Sequence, residues 1–563
     1  MGKFLFRGLE IHSNRMWQQG EVERSLKFME EYEMNALIFH QNDLINQLVL
    51  PEKYFDNDVM WDRWPTKRQK VLYQREYINR ITQLASEAGA EFYLEIKEID
   101  TCEEIFEMIP GLRRENGVIC PNHPFWEEYE KARLEELFSV CPGINGLIVS
   151  LGTRESKVSA AANRCTCPRC MRTPEITWYE NMIRALYQSC QKYEKKLIVR
   201  DFAFSADQQN LVLEACARVS KDITAALKAY PHDFYPTFPI NPQIGCSGLR
   251  EEYIEFDVWG QFFGMSCFPV SIAEDIKQRM QYSLKKGACG VWFRTDWELM
   301  HDASVERTMN RVNLLAGAML AADTEKGTDN IYREWTSQGL YSPLKTVSQK
   351  QEPEIPQNPE AWRYLKQFME ASWEAYRKTE YILGHQFLES DQPPYTIKKA
   401  FEIMTVIHGR DDWEKGASQR VEVTEENIEK IASEKEQAVR ETKKLAEFIE
   451  EGHLGISSAL HGEIIASIDL EVLFAELCKA VTLSMYGAVW AEKQRTPEAV
   501  EKLEQYINML NEIAERIETT LCGTDYPYYI YARLQPERLR RYRDDVLAVK
   551  RRMEQDVSCD CNR

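Results

Sequence analysis

Carboxylates, fixed cations and aromatic rings recur together along this 563-residue chain, each time where a short apolar run gives out. FRGLEIHS (6–13) brings His12, with Asn14 just beyond, and ALIFHQN (36–42) brings His40 and Asn42, then Asp43. GLIVSLGT (146–153) leads into Arg154 and Glu155, while KLIVRDFAF (196–204) carries Arg200 and Asp201. ITAALKA (223–229) supplies Lys228 and, shortly after, Asp233. YIEFDVWG (253–260) holds Glu255, Asp257 and Trp259, followed by Gln261. GVWFRTDW (290–297) holds Trp292, Arg294, Asp296 and Trp297. This mixture has the chemistry of a sugar site. Flat rings cover the apolar faces of a pyranose, and charged groups hydrogen-bond its hydroxyls. Two opposed carboxyl groups can protonate a glycosidic oxygen and activate a water. A hexuronate would further need a cation for its own carboxylate. Arg154, Arg200, Lys228 and Arg294 could serve, unless they pair internally with Asp201, Asp257 or Asp296.

Such residues need a scaffold that gathers strand ends. The seven runs above, with EFYLEIK (91–97), make eight strand candidates rich in β-branched and aromatic residues. Amphipathic helices separate them: 178–193 puts Met182, Ile183, Leu186 and Cys190 on one stripe, and 272–287 stops at Gly287. Eight strands alternating with helices predict a (β/α)8 TIM barrel, whose chemistry gathers at the carboxyl ends of its strands. A doubly wound open sheet is the rival, and its usual G-x-G-x-x-G loop is not found. Beyond about residue 325 no strands are expected. SPLKTVSQKQEPEIPQNPEAW (342–362) reads as a Pro-rich connector. Helix 425–452 follows an N-capping Thr424 and ends at Gly452, and helix 500–521 repeats its apolar stripe. The expected division is therefore a barrel over 1–325, a linker and first helical region over 326–360, and an all-α domain over 361–563.

The stretch K-A-Y-P-H-D-F-Y-P, Lys228 to Pro236, resembles the K-x-x-P-x-D-F-x-P segment of the α-glucuronidases of glycoside hydrolase family 67. F-P-I-N-P-Q-I-G (238–245) and I-E-F-D-V-W-G-Q-F-F-G (254–264) are similar to the segments that follow it there, without a gap. A further stretch, 316–335, looks like the exit from that family's barrel into its helical domain. The resemblance implies an inverting hydrolase that releases an α-linked glucuronic or 4-O-methylglucuronic acid from plant-derived oligosaccharides, xylan fragments among them. It places Asp233 as general base, and Glu155 is the candidate acid, although a gapless alignment puts Arg154 there. The family's second basic carboxylate falls on Gln261, an amide that cannot accept water's proton. Asp233 then acts alone, or Glu255 or Asp257 replaces the missing base, or hydrolysis is lost and a sugar-binding barrel remains. The family's leading β-rich domain is not expected here, because the first strand run begins within ten residues of Met1, and R-T-D-W stands where a D-x-N-W element is expected. A glycosidase acting on another sugar is the nearer alternative. His12, His40, Trp259, Trp292 and Trp297 complete the expected substrate contacts.

Composition narrows the partners. A net charge of −19, from 70 basic and 89 acidic residues, argues against nucleic acid. The basic run 538–552 alternates with acids and reads as a solvated helix face. No apolar run reaches the length of a membrane span or a signal peptide. Fifteen cysteines without an export signal fit reduced thiols, so a cytoplasmic location is expected. No cofactor is required, since carboxyl groups alone supply the proton transfers. The helical domain offers stripes that could pair two copies as a homodimer. RCTCPRC (164–170) carries Cys165, Cys167 and Cys170 as C-x-C-x-x-C. Three thiols do not complete a zinc centre, so no metal is assigned. Cys190, Cys141 or His123 would be the fourth ligand if one bound. Cys559 and Cys561 read as an untethered tail.

Overall fold

The computed structural model describes residues 2–560 apart from Glu115, Val347, Lys350, Ser390 and Asp391, with side chains described only as far as Glu554. Eight parallel strands close into a barrel: β1 (Phe6–Ile11), β2 (Ala36–His40), β3 (Glu91–Lys97), β4 (Gly146–Leu151), β5 (Lys196–Asp201), β6 (Thr224–Lys228), β7 (Glu251–Asp257) and β8 (Gly290–Arg294), with β8 pairing back onto β1. Each starts within two residues of its predicted run and ends no more than three residues before it does. The expected helices form at Glu175–Lys192, Ala273–Lys285, Glu425–Glu450 and Pro497–Leu521. Thr424 caps the third by accepting from the Asn427 amide at 3.3 Å.

Strand alternation explains how one sequence supplies both core and site. The odd-facing set Leu9, Phe39, Leu94, Val149 and Ile254 packs outward against the helices. The other parity fills the interior. Phe6, Ile38, Tyr93, Ile148, Ile198, Ala226, Tyr253 and Trp292 form the inner core. One step further toward the carboxyl end, the same parity delivers Glu10, His40, Glu95, Arg200, Lys228, Glu255 and Arg294, joined by the registers Glu10↔Arg294, His40↔Glu95 and Lys228↔Glu255. Gly8 pairs with Trp292 at mid-barrel, and a Cβ there would stand 2.7 Å from the Trp292 Cβ. The glycine makes room for the indole.

The carboxyl-terminal half is helical, with long helices Ala361–Glu380, Ser458–Gln494 and Pro536–Asp560 besides those named above. It departs from expectation in one place. Tyr381–Ile382 and His385–Gln386 form a short antiparallel ladder in a region read as strandless. The apolar stripe of Glu425–Glu450 buries Ile431, Leu445 and Ile449 within the chain. The helical half grips the segment after β7. Ser467 donates to the Cys267 carbonyl at 2.7 Å, Tyr381 donates to the Phe262 carbonyl at 2.8 Å, and Trp259 packs edge-on against Tyr529. Among the described residues, no helix is long and apolar enough to cross a membrane. Of the terminal cysteines, Cys559 falls in the last turn of Pro536–Asp560, its side chain outside the described set, and Cys561 lies outside the described residues.

Candidate active site

A cavity of about 300 Å³ opens at the carboxyl ends of the strands. Its wall brings together His12, His40, Glu155, Arg200, Lys228, Asp233, Gln261, Arg294 and Trp297. Lys97, Phe202, Phe204, His232, Tyr235, Phe262, Glu298 and His408 join them. Carboxylates and cations arrive as ion pairs. Lys228 Nζ stands 2.9 Å from Asp233, His12 Nε2 stands 3.0 Å from Glu298, and Lys97 contacts Glu155.

Asp233 sits on the loop after β6 at φ +45°, a left-handed conformation that Asp tolerates better than most residues. Burial opposes its charge, yet the Lys228 ammonium overrides burial and holds the carboxyl at about 2. Lys228 lies over the rings of Phe202 and Phe234, at 4.2 and 4.3 Å from their centroids. Burial lowers its own pKa. Lys97 also lies over Phe202, so this one ring carries the lysine partners of both Glu155 and Asp233. Glu155 keeps 44% of its side chain exposed.

The cavity floor is a charged network. Arg200 binds Glu255 through two hydrogen bonds of 2.6 and 2.7 Å, and its Nε lies 3.0 Å from Glu95. Glu10 Oε1 lies 2.8 Å from His40 and 3.1 Å from His12, while its Oε2 accepts from the Trp292 indole at 2.9 Å. The two imidazoles titrate in opposite directions. Burial works against a charge on His12, but Glu298 and Glu10 carry it up to about 9. Burial, reinforced by the charge on His12, keeps His40 neutral. Burial also disfavours ionisation of Glu298, but His12 holds it well below the carboxylate range. Two clusters here come within metal-ligand reach: Glu10 with His12 and His40, and Glu10 with Glu95 and Glu255. The Arg200 guanidinium already occupies the second as its cation, and in the first the Glu10 carboxylate and both Nδ1 atoms are engaged with one another, while the buried His40 Nε2 has no partner.

Five expected contacts lie outside the cavity wall. Glu255 points inward but is locked to Arg200 in the floor. Asp257 accepts from the Trp259 and Gln261 amides and from Arg294, so it shapes a loop. Trp292 is barrel core. Trp259 faces Tyr529 of the helical half. Arg154 is exposed at the rim, 5.3 Å from the Phe204 centroid. Gln261 accepts from Arg294 at 2.6 Å, and so orients a cation. Asp296 ties β8 to the loop after β1, accepting from the His12 amide at 2.6 Å and from Arg15 at 3.0 Å.

Sequence reading missed four polar members of the wall. Lys97 continues the inward parity of Tyr93 and Glu95, a signal open to reading. Glu298 follows D-W by one residue in a loop, where no periodicity applies. His232 stands beside Asp233 in the quoted loop. His408 comes from the helical half and reaches the wall by pairing with His232, Nε2 to Nδ1, at 2.7 Å. The cysteine cluster also differs from expectation: Cys120, and not Cys190, Cys141 or His123, joins Cys165, Cys167 and Cys170.

No protein-family profile matches the chain, and no curated protein matches it by sequence. Its fold is similar to that of solved structures. A GH138 enzyme targeting pectin rhamnogalacturonan II superposes with a TM-score of 0.67 at 12% identity, over 98% of this chain and 84% of that one. The O-GlcNAc hydrolase of Thermobaculum terrenum gives a TM-score of 0.43 at 11% identity, over 99% and 97% of the two chains. The first likeness covers nearly the whole chain, helical half included, and supports the fold: an eight-stranded barrel with a helical appendage.

Proposed function

We propose that the protein is a glycoside hydrolase that removes a terminal hexuronate from an acidic, plant-derived oligosaccharide. The observation carrying this reading is the balance of charge in the cavity. Lys97, Arg200, Lys228, Arg294 and a protonated His12, several of them paired with Glu155, Asp233 and Glu298, line a space fit for about one sugar ring. An anionic ring finds fixed cations there, and Phe202, Tyr235 and Trp297 give apolar surface to its faces. The finer reading is an α-linked glucuronic or 4-O-methylglucuronic acid released with inversion, as the family 67 resemblance implies. The fold-similar GH138 enzyme, which targets pectin, keeps other hexuronates within the same proposal.

Asp233 is ionised at neutral pH and suits the base that takes a proton from the attacking water. Glu155 suits the acid that protonates the leaving oxygen as the bond to the anomeric carbon breaks. Glu155 is tied to Lys97. A substrate carboxylate competing for Lys97 would free Glu155 to meet the leaving oxygen. Glu298 supplies a second carboxylate that Gln261 cannot, and it is the reserve for the base role.

Aryl α-glucuronides and α-galacturonides, assayed beside aryl N-acetylglucosaminides, test the proposal. Turnover of a uronide is expected. Turnover of the neutral amino sugar without any uronide activity would overturn it.

A further inference from the structure

The thiol cluster lies outside the wall of the sugar cavity and does not depend on the activity proposed for it. Cys165, Cys167 and Cys170 lie in the loop between β4 and helix Glu175–Lys192. Cys120 comes from the preceding loop, between β3 and helix Phe125–Val140. The four sulfurs lie within 4.8 Å of one another, and all four thiols are free. Cys120 Sγ stands 3.7 Å from Cys167 Sγ and 3.4 Å from Cys170 Sγ. A tetrahedral zinc with Zn–S bonds of about 2.3 Å sets its sulfurs about 3.8 Å apart, which matches this spacing.

The surroundings are built for thiolates. The Cys170 amide donates to Cys167 Sγ at 3.4 Å, closing the C-P-R-C turn on its own first sulfur. Asn122 Nδ2 donates to Cys170 Sγ at 3.4 Å. The Arg114 guanidinium reaches Cys165, and Arg169 donates to the Asn122 carbonyl at 3.0 Å. Four thiolates around a dication leave a net negative charge that these two arginines offset. The backbone beside Cys120 is fixed from both adjoining helices. The Trp126 indole donates to the Cys120 carbonyl at 3.0 Å, and the Trp178 indole donates to the Pro121 carbonyl at 2.8 Å.

We propose that Cys120, Cys165, Cys167 and Cys170 bind one zinc ion as a closed, structural tetrathiolate centre. Soft sulfur ligands in a tetrahedral set suit zinc and disfavour magnesium and calcium, which take oxygen ligands, and four protein ligands leave no open position for chemistry. The ion clasps the β3 loop to the β4 loop. Glu155 rides on the second of these, so the centre also steadies one wall of the sugar cavity.

Metal analysis of the purified full-length chain by plasma mass spectrometry is the test. About one zinc per chain is expected, released stoichiometrically when a mercurial titrates the thiols. Cys120→Ser and Cys167→Ser should each bring zinc close to zero, while Cys246→Ser, at an exposed cysteine outside the cluster, should leave it unchanged. Should the serine variants fail to fold, cobalt(II) exchanged into the unaltered protein still decides the matter, because a tetrathiolate site gives intense tetrahedral and sulfur-to-cobalt charge-transfer bands. Protein from zinc-supplemented growth that carries no zinc and gives no such bands with cobalt would overturn the proposal, as would a disulfide mapped within the cluster.

Discussion

Single side chains in the cavity are poised by their partners more than by their types. Asp233 is the clearest case, because its charge and its left-handed backbone can be separated experimentally. Asparagine accepts the same backbone region, so Asp233→Asn keeps the loop's conformation while removing the charge that pairs with the buried Lys228; the variant should be less stable than the parent and is assayed at a temperature where circular dichroism shows it folded. Turnover of an aryl uronide should fall by about 10²–10⁴-fold, the usual share of a general base. Equal turnover by variant and parent would remove Asp233 from the mechanism. His12 gives a pH signature. Its folded pKa of about 9 lies above the unfolded 6.5, so its contribution to stability is full below pH 6.5 and is lost as pH rises through 9. The shift corresponds to about 3 kcal/mol. Urea unfolding at pH 6.5 and 9.5 should show that loss in the parent, and His12→Gln should flatten it. Lys97 was legible in the alternation of β3, Lys228 at the end of β6 and Asp233 in the loop that follows. Glu298 was not, because a loop residue's direction follows no period.

At the scale of the strand, packing inside the barrel sets what each position tolerates. Gly8 faces Trp292 and Ile38, with 2.7 and 3.0 Å left for an added methyl. The nearer atom is a Cβ held to the backbone, which cannot swing aside. Gly8→Ala should therefore destabilise by about 1–3 kcal/mol, as overpacking does. Gly20→Ala, where nothing lies within 4 Å, should instead stabilise helix Gln19–Glu31 by about 0.5–1 kcal/mol. Denaturant midpoints of the two variants check both signs. The same alternation accounts for the tryptophans. Trp292 has inward parity but sits one layer below the mouth, so it fills core. Trp259 lies past the end of β7, where the chain turns toward the helical half. Both residue types suited a sugar platform, and depth along the barrel and the path of the loop put them elsewhere.

The whole molecule adds a seam between barrel and helical half at the cavity wall. His232 and His408, hydrogen-bonded across that seam, are pushed down to about 3 and about 4, chiefly by burial. Both values lie below the unfolded 6.5, so the unfolded chain takes up protons first as pH falls. Stability held above pH 6.5 should decline toward pH 4. Melting temperatures measured across that range should show it, and His408→Gln should lose less than the parent. An acid response unchanged in the variant would mean that other groups carry it.

What the sequence determined by itself is periodic or contiguous: eight strands, the helices between them, the helical half, and the segment that runs from Lys228 to Asp233. Such features are legible because alternation and turn chemistry act over neighbouring residues. Closure of the barrel, the pairing of each cation with a particular carboxylate, the arrival of His408 and the joining of Cys120 to the other thiols were decided only in three dimensions. Each depends on contacts between residues tens to hundreds of positions apart, and their geometry is set by how strands register and helices pack rather than by any local pattern.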